Sequence, residues 1–299
     1  MTEPRHQPGL KLGLISLAIV AIAFLAAFLV VPGPSESGAE ETELPQPIAL
    51  LDQLADAPTR HAVEALRAVV PATYAELNQT AAFALADGAQ DDALARLVLE
   101  ALFSQFQTQA LSLRSAESAN YQSIIAGLSE GLGQLKANQS AWCKGPTIAG
   151  FLTQNEDELV PALLSEFPYQ SPQYDWAMDW MTTILSAAKQ AQDRPRRYAR
   201  PGPRDETILQ QEGLALGSEQ WALALQIAAF ANSEGTSYSQ MQEVIAGMDV
   251  CDLGIAVETV SARLPSDVRA RIWADLMPEI MVGNTPYVMF RVTDYFFIG

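Results

Sequence analysis

Cysteine and histidine, which often act as nucleophiles, bases or metal ligands, are scarce in this sequence of 299 residues. There are two cysteines, Cys143 and Cys251, and two histidines, His6 and His61. No HExxH, CxxC or CxxCH motif occurs, so the sequence predicts no metal site, no haem and no other cofactor. A catalytic thiol is also unsupported, because neither histidine is placed to activate one.

The two cysteines are predicted to form a disulfide, with two buried free thiols as the alternative. Cys143 and Cys251 each lie at a break between helical patterns, where bridging is easier than between two mid-helix positions. Both follow the predicted membrane span described below and would be exported, and an exported pair of thiols is most simply a disulfide. The bridge would span 108 positions.

One glutamate is a candidate for acid–base catalysis. Glu117-Ser118, followed by Gly131-Leu132-Gly133-Gln134, resembles the lytic transglycosylases, in which a Glu-Ser pair precedes Gly-Leu-Met-Gln. Gly133 stands where that family has methionine, and the family's later Tyr-Asn-Ala-Gly signature is missing. The resemblance implies an all-α enzyme in which Glu117 acts as general acid and base on peptidoglycan.

Two further segments contain candidates for partner binding. Trp176 and Trp180 are spaced i, i+4 on one helix face, which indicates either core packing or an anchor for a protein or a small ligand. The loop RPRRYARPGPR, residues 194–204, holds five of the chain's 18 basic residues, and its three prolines exclude a helix. Its arginines balance the acidic surface or dock lipid headgroups or an acidic partner. They are Arg194, Arg196, Arg197, Arg200 and Arg204.

An N-terminal apolar segment sets the predicted location of these residues. Leu12 to Val31 contains no charge, and 20 helical residues span the hydrocarbon core of a bilayer. Arg5 and Lys11 precede it and glutamates follow it, so the N-terminus is expected to be cytoplasmic and the rest periplasmic. A cleaved signal peptide is the alternative. We expect a single-pass protein of a bacterial inner membrane.

After the span, the pattern is mostly helical. Apolar residues recur at i, i+3, i+4 and i+7 through most of the chain, which predicts an all-α fold. The β-branched and aromatic C-terminus predicts an extended tail. The predicted parts are a cytoplasmic tail (1–11), a transmembrane helix (12–31), an acidic linker (32–47), an all-helical extracytoplasmic domain (48–282) and an extended aromatic tail (283–299).

The composition narrows the function that such a protein could have. A net charge of −17 argues against nucleic-acid binding, which needs a basic surface. The anchor, with no assembled catalytic constellation in the sequence, favours a non-enzymatic accessory, scaffold or assembly subunit that binds an envelope protein. The alternatives are a peptidoglycan-cleaving enzyme that uses Glu117 and a helical domain that binds a small ligand beside Trp176 and Trp180.

Overall fold

The computed structural model describes residues 49–147, 165–217, 219, 222, 246–282, 284, 287, 288, 291, 292, 294 and 295. The predicted cytoplasmic tail, membrane span and acidic linker lie outside these residues, as do 148–164 and 223–245 of the predicted helical domain. Among the helices that are described, none is both long and apolar enough to cross a membrane.

The described residues confirm the all-α prediction, because they are mostly helical and include no strand. The helices are α1 (Leu50–Gln53), α2 (Ala57–Val69), α3 (Pro71–Ala86), α4 (Asp91–Leu113), α5 (Ser118–Ala137), α6 (Pro172–Asp193), α7 (Pro203–Leu216), α8 (Val250–Arg263) and α9 (Ser266–Met281). A short 3₁₀ turn, Ala141–Cys143, follows α5.

Several helices begin where the sequence supplies a capping side chain. Asp56 directly precedes α2, and one of its carboxylate oxygens accepts a hydrogen bond from the backbone N–H of Thr59 in the first turn, at 2.9 Å. The hydroxyl of Ser171 does the same for Tyr174 at 3.1 Å in α6. Each cap satisfies an N–H group that has no partner within its helix, and proline in the first turn favours the same start.

Helix α6 lies at the centre of the domain, where it contacts α2, α4 and α5. Its buried residues recur every three or four positions, as expected for a helix whose apolar side faces a core. Helix α5 lies between α6 and α8, and α9 packs on α4 and α5. The ends of α4, α6 and α9 are therefore held by one hydrophobic core.

The predicted disulfide between Cys143 and Cys251 is confirmed. It joins the 3₁₀ turn after α5 to the start of α8, and both residues are buried. Lys144 and Asp249 pair beside it through one isolated backbone bridge and a salt bridge of 3.0 Å. The disulfide therefore fixes the middle of the chain to its last third.

The prediction of an extended C-terminal tail is wrong for the residues that the structure describes. Residues 287, 288, 291, 292, 294 and 295 are helical. The helical spacing places Tyr287, Arg291 and Tyr295 at i, i+4 and i+8, so that all three contact Asp275 on α9. These contacts stabilise a helix that the β-branched and aromatic composition alone does not favour.

Candidate functional site: an arginine-lined groove

The arginine-rich loop, residues 194–204, connects α6 to α7 along a path fixed by contacts with the domain. The backbone N–H of Arg196 donates to the carbonyl of Ser115 at 2.9 Å. The hydroxyl of Tyr198 donates to the carbonyl of Ala116 at 2.8 Å. Pro201 is buried, and proline restricts the backbone on either side of it. Residues 194–202 are irregular, as predicted, whereas Pro203 and Arg204 begin α7. The loop is attached to the turn between α4 and α5.

A groove of about 480 Å³ lies between this loop and α9. The end of α4 and Tyr287 of the C-terminal segment complete its lining. Its basic lining residues are Arg114, Arg196, Arg197, Arg200 and Arg271, and its acidic ones are Asp275 and Glu279. Five positive and two negative groups give the groove a net positive charge, whereas the whole chain carries −17.

Two of these arginines are neutralised by acidic side chains. Arg114 pairs with Glu279 at 2.8 Å. Arg271 forms two hydrogen bonds with the buried Asp205, at 2.7 and 2.8 Å, in the two-point geometry that suits a guanidinium. Hydrogen bonding by Arg271 lowers the pKa of Asp205. These two pairs fix the groove's walls, and they leave Arg114 and Arg271 with little positive charge to attract a ligand.

Arg196 is also paired, with the predicted catalytic candidate Glu117. Its Nη2 and Nε atoms lie 2.6 and 3.1 Å from the same carboxylate oxygen. Glu117 directly precedes α5, and its side chain is 40% exposed. A general acid must reach the reacting oxygen of its substrate, whereas this carboxylate is held by the guanidinium of Arg196. The observed contact is therefore better suited to anchoring the loop than to catalysis.

Arg197 and Arg200 differ from the other groove arginines. Both are exposed, and within the part of the chain that the structure describes neither forms an ion pair. Arg200 lies close enough to Tyr287 for its charge to oppose the rise in that hydroxyl's pKa, which burial causes. These two guanidinium groups are the part of the groove that is available to an anionic ligand.

The remaining two arginines of the loop lie outside the groove. Arg194 directly follows α6 and borders a separate depression of about 420 Å³ that also contacts Glu117. Arg204 is exposed in the first turn of α7. The structure thus divides the five predicted arginines into three that line the groove and two that do not.

Asp275 joins the groove to the C-terminal segment. It accepts hydrogen bonds from Tyr287 at 2.9 Å, Arg291 at 2.9 Å and Tyr295 at 2.8 Å. Burial raises the pKa of Asp275, but these three donors outweigh burial and the pKa is lowered. Arg291 also pairs with Asp294, and its guanidinium lies 4.5 Å from the centre of the Tyr295 ring. This network holds one wall of the groove in place.

The two predicted tryptophan anchors lie in the contact between α5 and α6. Trp180 is 5% exposed, and its indole N–H donates to the carbonyl of Ile124 at 2.9 Å. The indole N–H of the half-buried Trp176 donates to the carbonyl of Gly127 at 2.6 Å. The rings stack with centroids 5.7 Å apart. They pack within the domain and do not line the groove.

Glycines on α5 make room for these rings. A Cβ atom on Gly131 would overlap the ring of Trp176, and one on Gly127 would lie 2.8 Å from the ring of Trp180. The small residues therefore allow close approach of the aromatic rings to the α5 backbone. We call this contact, formed by Gly127, Gly131, Trp176 and Trp180, the tryptophan–glycine contact.

Among the residues that the structure describes, one cluster has the residue types of a metal site. Ligand atoms of Cys143, Asp249 and Cys251 lie within 4.8 Å of one another. The two sulfur atoms are bonded to each other, so they are not the thiolates that bind metals. The cluster is a structural link between α5 and α8.

The groove combines predicted residues with others that the sequence did not indicate. Arg196, Arg197 and Arg200 were predicted as partner-binding candidates, whereas Arg271 and Tyr287 come from distant segments without a recognisable motif. In the sequence, Arg271 is one basic residue in a helical pattern and Tyr287 is one aromatic residue in the predicted extended tail, and many core or surface residues share these signals.

Comparisons with known proteins identify no relative. No protein-family model matches the chain, and neither a curated protein nor a solved structure matches it.

Proposed function

We propose that the chain is a membrane-anchored, extracytoplasmic helical protein that acts as a non-enzymatic accessory or assembly subunit of a bacterial envelope complex. Its partner docks at the arginine-lined groove. The observation that carries this proposal is the exposed pair Arg197 and Arg200, presented by a fixed loop on an otherwise acidic chain. Exposed guanidinium groups in a defined position favour recognition of an anionic surface.

The proposed location is supported by two features. The apolar segment at 12–31 has the length of a membrane span and basic residues on its N-terminal side. The disulfide between Cys143 and Cys251 is typical of an oxidising compartment such as the periplasm. Nucleic acid is not the proposed partner, because the chain is strongly acidic.

The two alternatives receive less support from the contacts. A peptidoglycan-cleaving enzyme would need the Glu117 carboxyl to reach its substrate. Glu117 borders a depression of about 420 Å³, but its carboxylate is half-exposed and paired with Arg196. A small-ligand site at Trp176 and Trp180 would need accessible rings, but Trp180 is buried and both indole N–H groups are hydrogen-bonded.

The main test is site-specific photo-crosslinking in intact membranes. A photoreactive residue replaces Ala199, which lies in the groove between Arg197 and Arg200. In a matched control it replaces Leu214, which is 72% exposed on α7 and does not line the groove. We expect an adduct with another envelope protein from position 199 and none of the same mass from position 214.

Three outcomes would contradict the proposal. One is that no protein adduct forms at position 199, and another is that both positions give the same adducts. The third is that the purified full chain turns over a substrate and a single substitution abolishes that activity.

The proposed topology has its own test. Reporter fusions at the C-terminus should be active only with a reporter that works in the periplasm. Mass spectrometry of the protein extracted from cells under non-reducing conditions should show the bridge between Cys143 and Cys251. An active cytoplasmic reporter with free thiols would place the domain on the other side of the membrane.

A further inference from the structure

We infer that the groove binds an acidic peptide segment of the partner, whose glutamate or aspartate carboxylates pair with Arg197 and Arg200. This inference rests on the proposed function and adds the chemical class of the ligand at the same groove. It follows from which charges the domain has already neutralised, how the loop is held, and what surrounds it.

Most of the groove's charged side chains are already neutralised by partners within the domain. Arg114, Arg196 and Arg271 already pair with Glu279, Glu117 and Asp205. The acidic lining residues Glu279 and Asp275 are likewise paired, so they repel an incoming carboxylate less than isolated acids would. The unneutralised charge of the groove is therefore on Arg197 and Arg200, and it is positive.

The loop that carries Arg197 and Arg200 is held in place before a ligand binds. The hydroxyl of Tyr198, between the two arginines, donates a hydrogen bond to the carbonyl of Ala116, and Pro201 directly after them is buried. Arg196, directly before them, donates hydrogen bonds to the carbonyl of Ser115 and the carboxylate of Glu117. A loop fixed at both ends loses little conformational entropy on binding, which favours affinity.

The groove is large enough for several side chains of a peptide and has a partly apolar lining. A volume of about 480 Å³ falls within the range of sites that hold several side chains or a small organic molecule. Ala199, Ala274 and Tyr287 add apolar surface for the methylene groups of acidic side chains. Guanidinium groups pair with carboxylates at two points, which fixes the orientation of a peptide.

The overall charge favours a peptide segment over a membrane surface. A bilayer is an extended anionic plane, so docking would bring much of a protein of charge −17 against it. A peptide segment meets only the groove and avoids most of that repulsion.

The test measures binding of a labelled peptide to the full chain in detergent by fluorescence anisotropy. The probe is a short peptide with four glutamates, and its control carries four glutamines. The test variant is Arg197→Gln/Arg200→Gln. The matched control is Arg194→Gln/Arg204→Gln, which removes the same charge from the same loop outside the groove.

We expect the glutamate peptide to bind and the glutamine peptide not to bind. The test variant should bind about tenfold more weakly, because two charge-assisted contacts are lost, whereas the control variant should bind like wild type. Added salt should weaken binding by wild type. Circular dichroism of both variants should match wild type, because all four substituted side chains are exposed.

Besides an absence of peptide binding, four results would overturn the inference. An equal loss of peptide affinity in the two variants would show unspecific attraction to the loop. Saturable binding of inorganic phosphate without binding of the peptide would assign the groove to a phosphate ligand. Recruitment to phosphatidylglycerol vesicles that depends on Arg197 and Arg200 would assign it to lipid. Peptide binding that occurs only in the variant Glu36→Gln/Glu40→Gln/Glu41→Gln/Glu43→Gln, and not in wild type, would assign the groove to the chain's own acidic linker.

The inference and the proposed function fail in different ways. If an envelope protein crosslinks at position 199 but acidic peptides do not bind, only the ligand class is wrong. If no protein crosslinks there, the proposed function itself is contradicted, whatever peptides bind.

Discussion

In the tryptophan–glycine contact, both indole N–H groups have carbonyl partners, whereas at the groove Arg197 and Arg200 have no ion pair among the described residues. Both regions stand out in the sequence as partner-binding candidates, because both are rich in residues common at interfaces. In the folded chain, one is used to join two helices and the other lies on the surface.

The difference lies in where polar groups find their partners. A buried donor must be satisfied within the domain, so the tryptophan rings are positioned by α5. An exposed guanidinium keeps its water until a ligand replaces it, so its contacts are available to another molecule. The comparison predicts that substitutions at the tryptophan–glycine contact change stability, whereas substitutions at Arg197 and Arg200 change binding.

The largest expected effect is at Trp180. Trp180→Ala should lower the free energy of unfolding by about 3–5 kcal/mol, because a large buried side chain is removed and the carbonyl of Ile124 loses a donor. Denaturant unfolding followed by circular dichroism measures this. Leu111→Ala, at a side chain that is 69% exposed, is the control and should change stability little. Similar results for both variants would contradict the buried position of Trp180.

Asp275→Asn should come next, with a loss of about 3 kcal/mol, because it leaves the Arg291 guanidinium without its main partner in a poorly exposed site. The same network predicts that the free energy of unfolding depends on pH. The pKa of Asp275 is lower in the folded state than in the unfolded state. Its contribution to the free energy of unfolding is therefore complete above the unfolded-state pKa of about 4 and is lost as pH falls through the folded-state pKa.

Unfolding measured across acidic pH checks this dependence. Wild type should lose stability more steeply than Asp275→Asn below about pH 4. Parallel curves for the two proteins would show that Asp275 does not carry this stability.

Gly131→Ala should destabilise the domain by about 1–3 kcal/mol, because the added methyl group overlaps the Trp176 ring. Gly133→Ala, two residues along the same helix, meets nothing within 4 Å and should stabilise the helix by about 1 kcal/mol. Both substitutions give the same gain in helix propensity. The difference between the thermal unfolding midpoints of the two variants therefore measures the cost of the overlap with the Trp176 ring. Stabilisation by both would contradict close packing at Gly131.

The smallest effect is expected for Glu117→Gln. Its pair with Arg196 is exposed, so the midpoint of thermal unfolding should be unchanged within error. Incubation of wild type and variant with purified sacculi tests the remaining alternative. We expect no muropeptide release by either protein. Release by wild type that disappears in the variant would establish Glu117 as a catalytic residue and contradict the proposed function.

The local features of the fold could be predicted from sequence. Helical periodicity predicted the all-α class of the described residues, and the two cysteines indicated the disulfide. Prolines identified residues 194–202 as irregular, although Pro203 and Arg204 begin α7. Each of these depends on spacing within one segment or on a residue type with few possible roles.

The long-range pairings could not be predicted. Arg196 pairs with Glu117 across 79 positions of sequence. Helical periodicity shows which side of a helix is buried, but it does not show which element packs against that side. The tail composition suggested an extended segment, but contacts of Tyr287, Arg291 and Tyr295 with Asp275 favour a helix. The glycines at 127 and 131 could be explained only once the tryptophan rings were placed beside them.

The most direct test is the yield of the crosslinked adduct from position 199 per folded molecule, compared between Arg197→Gln/Arg200→Gln and Gly131→Ala. The arginine variant should lose most of the adduct while its unfolding midpoint stays at the wild-type value. Gly131→Ala should unfold earlier but keep the wild-type yield. An unchanged yield in the arginine variant, with a loss in Gly131→Ala, would contradict the assignment of partner binding to the groove.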